Sequence, residues 1–160
     1  MSNTRSKGEL GFQRHIIDNL QKDSHWHERK AKEHYNREHA VDRGMLEAFL
    51  TDTQPDALKS LDRTYGDRAL DVVIAEYERA CRSKGSAQID VLRSGIDMGS
   101  IHLDLLYGKP ASDLNPDLIR KYQANRLSVI EEVWIDDDSR IDLVLFINGF
   151  AWAAFELKYG

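Results

Sequence analysis

Apolar positions recur along this chain at two different periods, and the change between them organises it. From Glu9 to Lys22, the residues Leu10, Phe12, Ile16, Ile17 and Leu20 return at helical spacing, which predicts an amphipathic helix. Met45, Leu46, Phe49 and Leu50 give a second helix one apolar face, with Asp42 placed to cap it. Thr53-Gln54-Pro55 breaks that pattern, and Pro55 suits the first turn of a short helix ending near Leu61. Leu70, Val73, Ile74 and Tyr77 predict a helix over Asp67–Arg82 that stops near Lys84-Gly85. Between these, His25 to His39 is dense in charge and histidine and has no period, so it is expected to be a solvated, partly helical connection.

After Gly85 the period falls to two. "QIDVLRSG" is expected to be a short strand, and "SIHLDLLYG" alternates Ile101, Leu103, Leu105 and Tyr107 on one face. Pro110 to Pro116 is a loop, and Asn115 caps a short helix over 116–125 with Pro116 at its first position. "RLSVIEEVWI" is the next strand, Asp136 to Ser139 a turn, and two last strands flank Asn148-Gly149. The expected organisation is a tail over 1–8 and one domain over 9–160, helical to residue 84 and mainly strands from 86. Helices followed by strands predict a mixed α+β fold.

Composition narrows the class. At 41% hydrophobic and 31% charged over 160 residues, the chain is globular rather than disordered. Its longest uncharged run, Leu143 to Phe155, is thirteen residues, too short for a bilayer span. Met1 to Leu10 lacks the apolar stretch of a secretory signal. Cys81 is the only cysteine, which excludes an internal disulfide and a cysteine-built zinc site and fits a cytoplasmic protein. A net charge of −5 counts against a stand-alone, high-affinity DNA module. It leaves open an enzyme that meets phosphates through a metal ion. His25, His27, His34 and His39 are spaced too loosely for a metal site and belong to a solvated segment.

The most apolar segment, "RIDLVLFINGFAWAAFELK", carries three misplaced charges: Asp142, Glu156 and Lys158. Strand alternation sets Asp142 with Val144 and Phe146, and sets Glu156 and Lys158 together on the next strand. A two-residue turn at Asn148-Gly149 would pair Asp142 with Phe155 and leave Glu156 on the opposite side. A three-residue loop, or a bulge, brings all three charges to one side. The three-residue loop is expected, because charges buried separately in an apolar hairpin cost several kcal/mol apiece. Together, two carboxylates and the Leu157 backbone carbonyl suit a hard cation such as Mg²⁺, and Lys158 suits the developing charge of phosphodiester hydrolysis. A structural ion cluster at a sheet end is the competing reading of the same three residues.

Asp142, followed after thirteen residues by Glu156-Leu157-Lys158, resembles the Asp…Glu-x-Lys site of the PD-(D/E)xK nuclease superfamily. "IDLVLFINGFAWAAFELK", "NRLSVIEEVW", "VLRSGIDMG", "LDLLYGKPASDLNP" and "AFLTDTQP" resemble the N-terminal nuclease region of the restriction subunit of type I restriction–modification enzymes, over roughly residues 10 to 158. The resemblance implies a restriction-endonuclease-like mixed sheet flanked by helices, Mg²⁺ dependence and cleavage of double-stranded DNA. It makes Asp142 and Glu156 the metal ligands and Lys158 the catalytic lysine. It also implies methylation and specificity subunits as partners, and an ATP-driven translocase. This chain has no Gly-x-x-x-x-Gly-Lys-Ser/Thr motif for ATP. The family pattern continues past Tyr159-Gly160, so a C-terminally truncated piece is expected. Ile141 stands where the superfamily often has Pro, and Gln13 where relatives often carry an acid. Arg126 and Arg140 flank strands near the site as candidate DNA contacts; pairing with Glu131, Glu132 or Asp136 to Asp138 is their alternative. Trp134 and Trp152 are expected to pack in the core or on a sheet face. Two other functions remain open: a non-catalytic docking module of the restriction complex, and a small stand-alone nuclease of the same superfamily.

Overall fold

The computed structural model of the chain describes residues 7–84 and 87–158. The expected tail therefore lies mostly outside the described residues, and Lys7 and Gly8 already belong to helix α1 (Lys7–Ser24). The segment after it is not a featureless connection. It holds strand β1 (His27–Arg29), a single turn α2 (Ala31–His34) and strand β2 (Tyr35–Asn36), and strand β3 (Val41–Asp42) follows. Strands of two or three residues are too short to display a period, which is why the pattern of apolar residues missed them.

Residues 43–126 form a compact unit of their own. It contains α3 (Arg43–Thr53), α4 (Pro55–Tyr65), a 3₁₀ turn at Gly66–Arg68, α5 (Ala69–Lys84), α6 (Gln88–Ser94), the ribbon β4 (Ile96–Met98) and β5 (Ile101–Leu103), and α7 (Pro116–Gln123). Its core is built from Leu46, Phe49, Leu50, Leu61, Val73, Ile74, Val91, Leu92, Leu103 and Leu105, all essentially inaccessible to solvent. Pro55 opens α4 as its sequence position requires. The Asn115 side chain accepts from the backbone N–H of Asp117 at 3.1 Å and of Leu118 at 3.2 Å, capping α7.

Two expectations fail in this unit. "QIDVLRSG" is helical, not a strand: Val91 and Leu92 are neighbours and both are buried, which a strand with one covered face cannot arrange. Gly95, at φ +70°, then turns the chain into β4. "SIHLDLLYG" keeps its apolar face, but the strand ends at Leu103. Beyond it, two side-chain amides replace a strand partner. Gln54 donates to the Asp104 carbonyl and accepts from the Asp104 N–H, both at 2.8 Å. Asn125 donates to the Tyr107 carbonyl at 2.7 Å and accepts from its N–H at 3.1 Å.

The residues up to 42 and those from 127 onward make the other unit. Strands β6 (Leu127–Trp134), β7 (Arg140–Ile147) and β8 (Phe150–Phe155) are its long members. Among the described residues the sheet has six strands in the order β1-β6-β7-β8-β3-β2; β1 runs parallel to β6 and the other neighbours are antiparallel. The expected turn over Asp136–Ser139 is present. The Asp136 carboxylate accepts from the backbone N–H groups of Asp138 and Ser139, which holds it below the usual carboxylate range.

The sheet curls. Arg29 of β1 and Asp42 of β3 are separated by three strands in the order, yet the guanidinium meets the carboxylate through Nε–Oδ2 at 2.8 Å and Nη2–Oδ1 at 3.2 Å. The Tyr35 ring of β2 likewise meets the Phe146 ring of β7 edge-on, with centroids 6.2 Å apart. Inside the curl, Ile130, Val133, Val144 and Phe146 pack with Ala31, Tyr35, Ile141 and Ala151. On the other face, Val129 and Leu143 pack against Ile17 of α1, joined by Ile16, Leu20, Trp26, Leu145 and Leu157. Asp42, expected to cap the next helix, is fully buried and paired with Arg29.

Candidate metal and catalytic centre

The β7–β8 hairpin decides whether the three charges can meet. Its near end follows the short-turn rule. Asn148 (φ 50°) and Gly149 (φ 90°) both lie in the left-handed region, and Ile147 pairs with Phe150 across them. The turn has two residues, so the expected three-residue loop is wrong. Asn tolerates the left-handed region better than other side-chain-bearing residues, and Gly adopts it freely.

The far end is nevertheless shifted by one. Phe146 pairs with Ala151, but Leu145 pairs with Ala153, Val144 with Ala154 and Leu143 with Phe155. Trp152 is the extra residue of a β-bulge. One further step along this register sets Glu156 opposite Asp142. The bulge does what a longer loop was expected to do.

Strand β8 ends at Phe155, so Glu156, Leu157 and Lys158 continue it without regular pairing. Leu157 fixes their direction. Its side chain packs beside Ile17, Val129 and Leu143 on the α1 face, and its backbone N–H donates to Asp142 Oδ2 at 2.7 Å. Alternation then turns Glu156 and Lys158 away from the Leu157 side chain, to the face of Val144 and Phe146. Asp142 is half-buried, while Glu156 and Lys158 are exposed. Among the described residues no three His, Cys, Asp or Glu side chains group as a ready-made cation cage.

Residues 13–160 match the model of the type I restriction enzyme R protein N terminus. The chain belongs to that family. No curated protein and no solved structure matched it. The resemblance carried by the sequence is therefore correct, and so is the mixed α+β fold it implied.

Other residues of this R-protein N terminus fall into place less simply. Arg140 sits with its Nη1 3.6 Å from Glu132 Oε1 and its guanidinium 5.6 Å from the centre of the Trp134 ring. Arg126 belongs to the unit of residues 43–126, where it pairs with Asp52, an acid outside the partners expected for it. Trp134 and Trp152 are not core residues; they are 46% and 42% exposed. Gln13 is buried on α1 and donates its amide to Glu131 Oε2 at 2.9 Å, linking helix to sheet. Glu132 is one of the partners expected for Arg140, but its backbone conformation was not foreseen. Nothing in a Glu-Glu pair within a strand signals that the second one has a left-handed backbone, at φ +56°. No helix among the described residues is long and apolar enough to cross a membrane.

Proposed function

We propose that this R-protein N terminus is the Mg²⁺-dependent endonuclease part of a cytoplasmic type I restriction enzyme, hydrolysing phosphodiester bonds of foreign double-stranded DNA. The observation that supports the proposal is the register shift at Trp152, after which Leu143 pairs with Phe155 and Glu156 and Asp142 each follow one step beyond that pair. A sheet gains nothing structural from aligning two carboxylates. Like charges on opposing strand positions repel, so the row is favourable when a cation joins it.

The donor set fits Mg²⁺: hard oxygen ligands from Asp142 and Glu156, with the Leu157 carbonyl as a third candidate. When bound, the cation supplies Lewis-acid polarisation of the phosphodiester and acidifies water. The protein's own part is orientation. The Leu157 N–H holds Asp142 Oδ2, and the partly buried Leu157 side chain anchors the strand end, so both carboxylates are presented from fixed backbone. Lys158 places an ammonium group where charge develops on the phosphoryl oxygens. Arg140 is a candidate phosphate contact, and Arg126 is a candidate phosphate contact within its own unit. Methylation and specificity subunits and an ATP-driven motor complete the machine in this proposal, ATP acting through the motor.

The test is DNA cleavage by the R protein assembled with its partner subunits. Asp142→Ala and Lys158→Ala each lower the Mg²⁺-dependent rate by about 100-fold or more. Calorimetry on the chain itself shows Mn²⁺ binding that Asp142→Ala removes. Intact cleavage in either variant sinks the proposal.

A further inference from the structure

Strand β6 contains a backbone conformation that strands do not use. Glu132 lies at φ +56° in mid-strand, in a region that glutamate rarely enters and that serves no turn at this point. The ladder pairs Glu131 with Leu143 and Val133 with Ile141, so the step between them sets Glu132 opposite Asp142. The irregularity breaks the alternation of β6. Ile130 and Val133 are three positions apart, an odd number, yet both enter the same buried cluster. Strain of this kind concentrates at functional sites, where the surrounding structure holds it in place.

Arg140 gives the strained step a purpose. It pairs across the strands with Trp134 and stacks near that ring, but its guanidinium reaches back along β6 to Glu132. A cation therefore stands beside Glu132, at the ladder step shared with Asp142. Its hold on Glu132 is loose. The 3.6 Å separation exceeds that of a charge-assisted hydrogen bond, and the Glu132 side chain is 44% exposed. The contrast within the same sheet is Arg29, whose two contacts to buried Asp42 are at 2.8 and 3.2 Å.

We infer that Glu132 is a positioning residue: it parks the Arg140 guanidinium beside the Asp142 step and releases it to a phosphate of duplex DNA. The inference rests on the nuclease reading of the site and names how that site takes hold of its substrate backbone. A phosphate offers the planar guanidinium two acceptors and releases counterions, which a single exposed carboxylate at 3.6 Å does not match. Trp134 keeps the guanidinium oriented during the exchange. No covalent step is involved.

The experiment is fluorescence anisotropy of the chain with a labelled mixed-sequence duplex in EDTA, which keeps cation chemistry out of the readout. Arg140→Ala is expected to weaken binding about tenfold and to lower the slope of log affinity against log salt by about one phosphate contact. Glu132→Gln is expected to tighten binding about threefold, because the competing anion is gone, and to have no effect in the Arg140→Ala background. Glu132→Gly adopts φ +56° without strain and is expected to tighten binding likewise, so a folding defect in one variant does not hide the result. Unchanged affinity in both Glu132 variants, effects that add to that of Arg140→Ala, or wild-type binding weaker than about 100 µM at low salt each overturn the inference. Because EDTA removes the cation, these outcomes are independent of whether Asp142→Ala abolishes cleavage.

Discussion

Two groups of charges lie on the same curled sheet and are treated in opposite ways. At the closing edge, Asp42 is wholly buried and Arg29 grips both its oxygens. At the far end of β7 and β8, Asp142 is half-buried and its neighbours Glu156 and Lys158 face solvent. The first arrangement is complete within the protein and joins strands that are not neighbours in the sheet. The second gathers charges at the end of the hairpin, partly open to solvent, and is the candidate site. A wholly buried pair suits architecture, whereas a solvent-facing group of charges suits binding.

That contrast can be broken in either region. The largest effect is expected from inserting one alanine between Ala154 and Phe155. The insertion turns Glu156 to the other face; a ladder that absorbs Trp152 to compensate returns it to the first face only opposite Arg140, two positions away from Asp142. Mn²⁺ affinity measured by calorimetry falls by on the order of 100-fold or more, while the urea midpoint barely moves. Retained affinity breaks the register account. Next comes Arg29→Ala, which strands a buried carboxylate and is expected to cost about 3–5 kcal/mol in urea unfolding. Asp142→Ala, by comparison, is expected to cost clearly less, because Asp142 is half-buried where Asp42 is wholly buried. Equal losses in the two variants would erase the distinction between clasp and site.

A smaller effect separates the two units by pH. Burial, then the nearby Asp104 charge, push the Tyr107 hydroxyl up to about 12 from an ordinary value of 10.0. The folded form keeps its proton where the unfolded form loses it. Stability from this group is thus intact below pH 10 and drains away as pH rises towards 12. Tyr107→Phe removes that part of the alkaline slope, read from urea midpoints on either side of the window. The smallest effect is expected from deleting Trp152. The ladder closes up with Ala151 still opposite Phe146 and Ala153 still opposite Leu145, so Glu156 keeps its place. Mn²⁺ affinity stays within about threefold, and complete loss in a folded variant argues that the bulge itself, not the register, makes the site.

How much of this was legible beforehand varies with the range of the interaction. Asn115 declares its cap and Asn148-Gly149 its turn, because caps and turns are chemistry between residues a few positions apart. The long strands β6, β7 and β8 show their period over six to eight residues. The strands at 27–29, 35–36 and 41–42 show none, since they exist only through their partners. The helix at 88–94 was misassigned for a related reason: seven residues hold two turns, and an apolar cluster that short suits a strand equally well.

Family and mixed fold were legible in the order of the residues, as was the odd placement of Asp142, Glu156 and Lys158 in an apolar hairpin. The register that leads Glu156 to the end of β7 came only from the pairing of the strands. A single extra residue in β8 moves every later side chain across the sheet, and nothing in the composition of Ala151-Trp152-Ala153 marks which of them is surplus. The pairing partner decides that, and pairing is a property of two strands rather than one. The same reason hides the Arg29–Asp42 clasp and the strained Glu132. Both follow from how the sheet curls, which is settled only when distant parts of the chain are packed together.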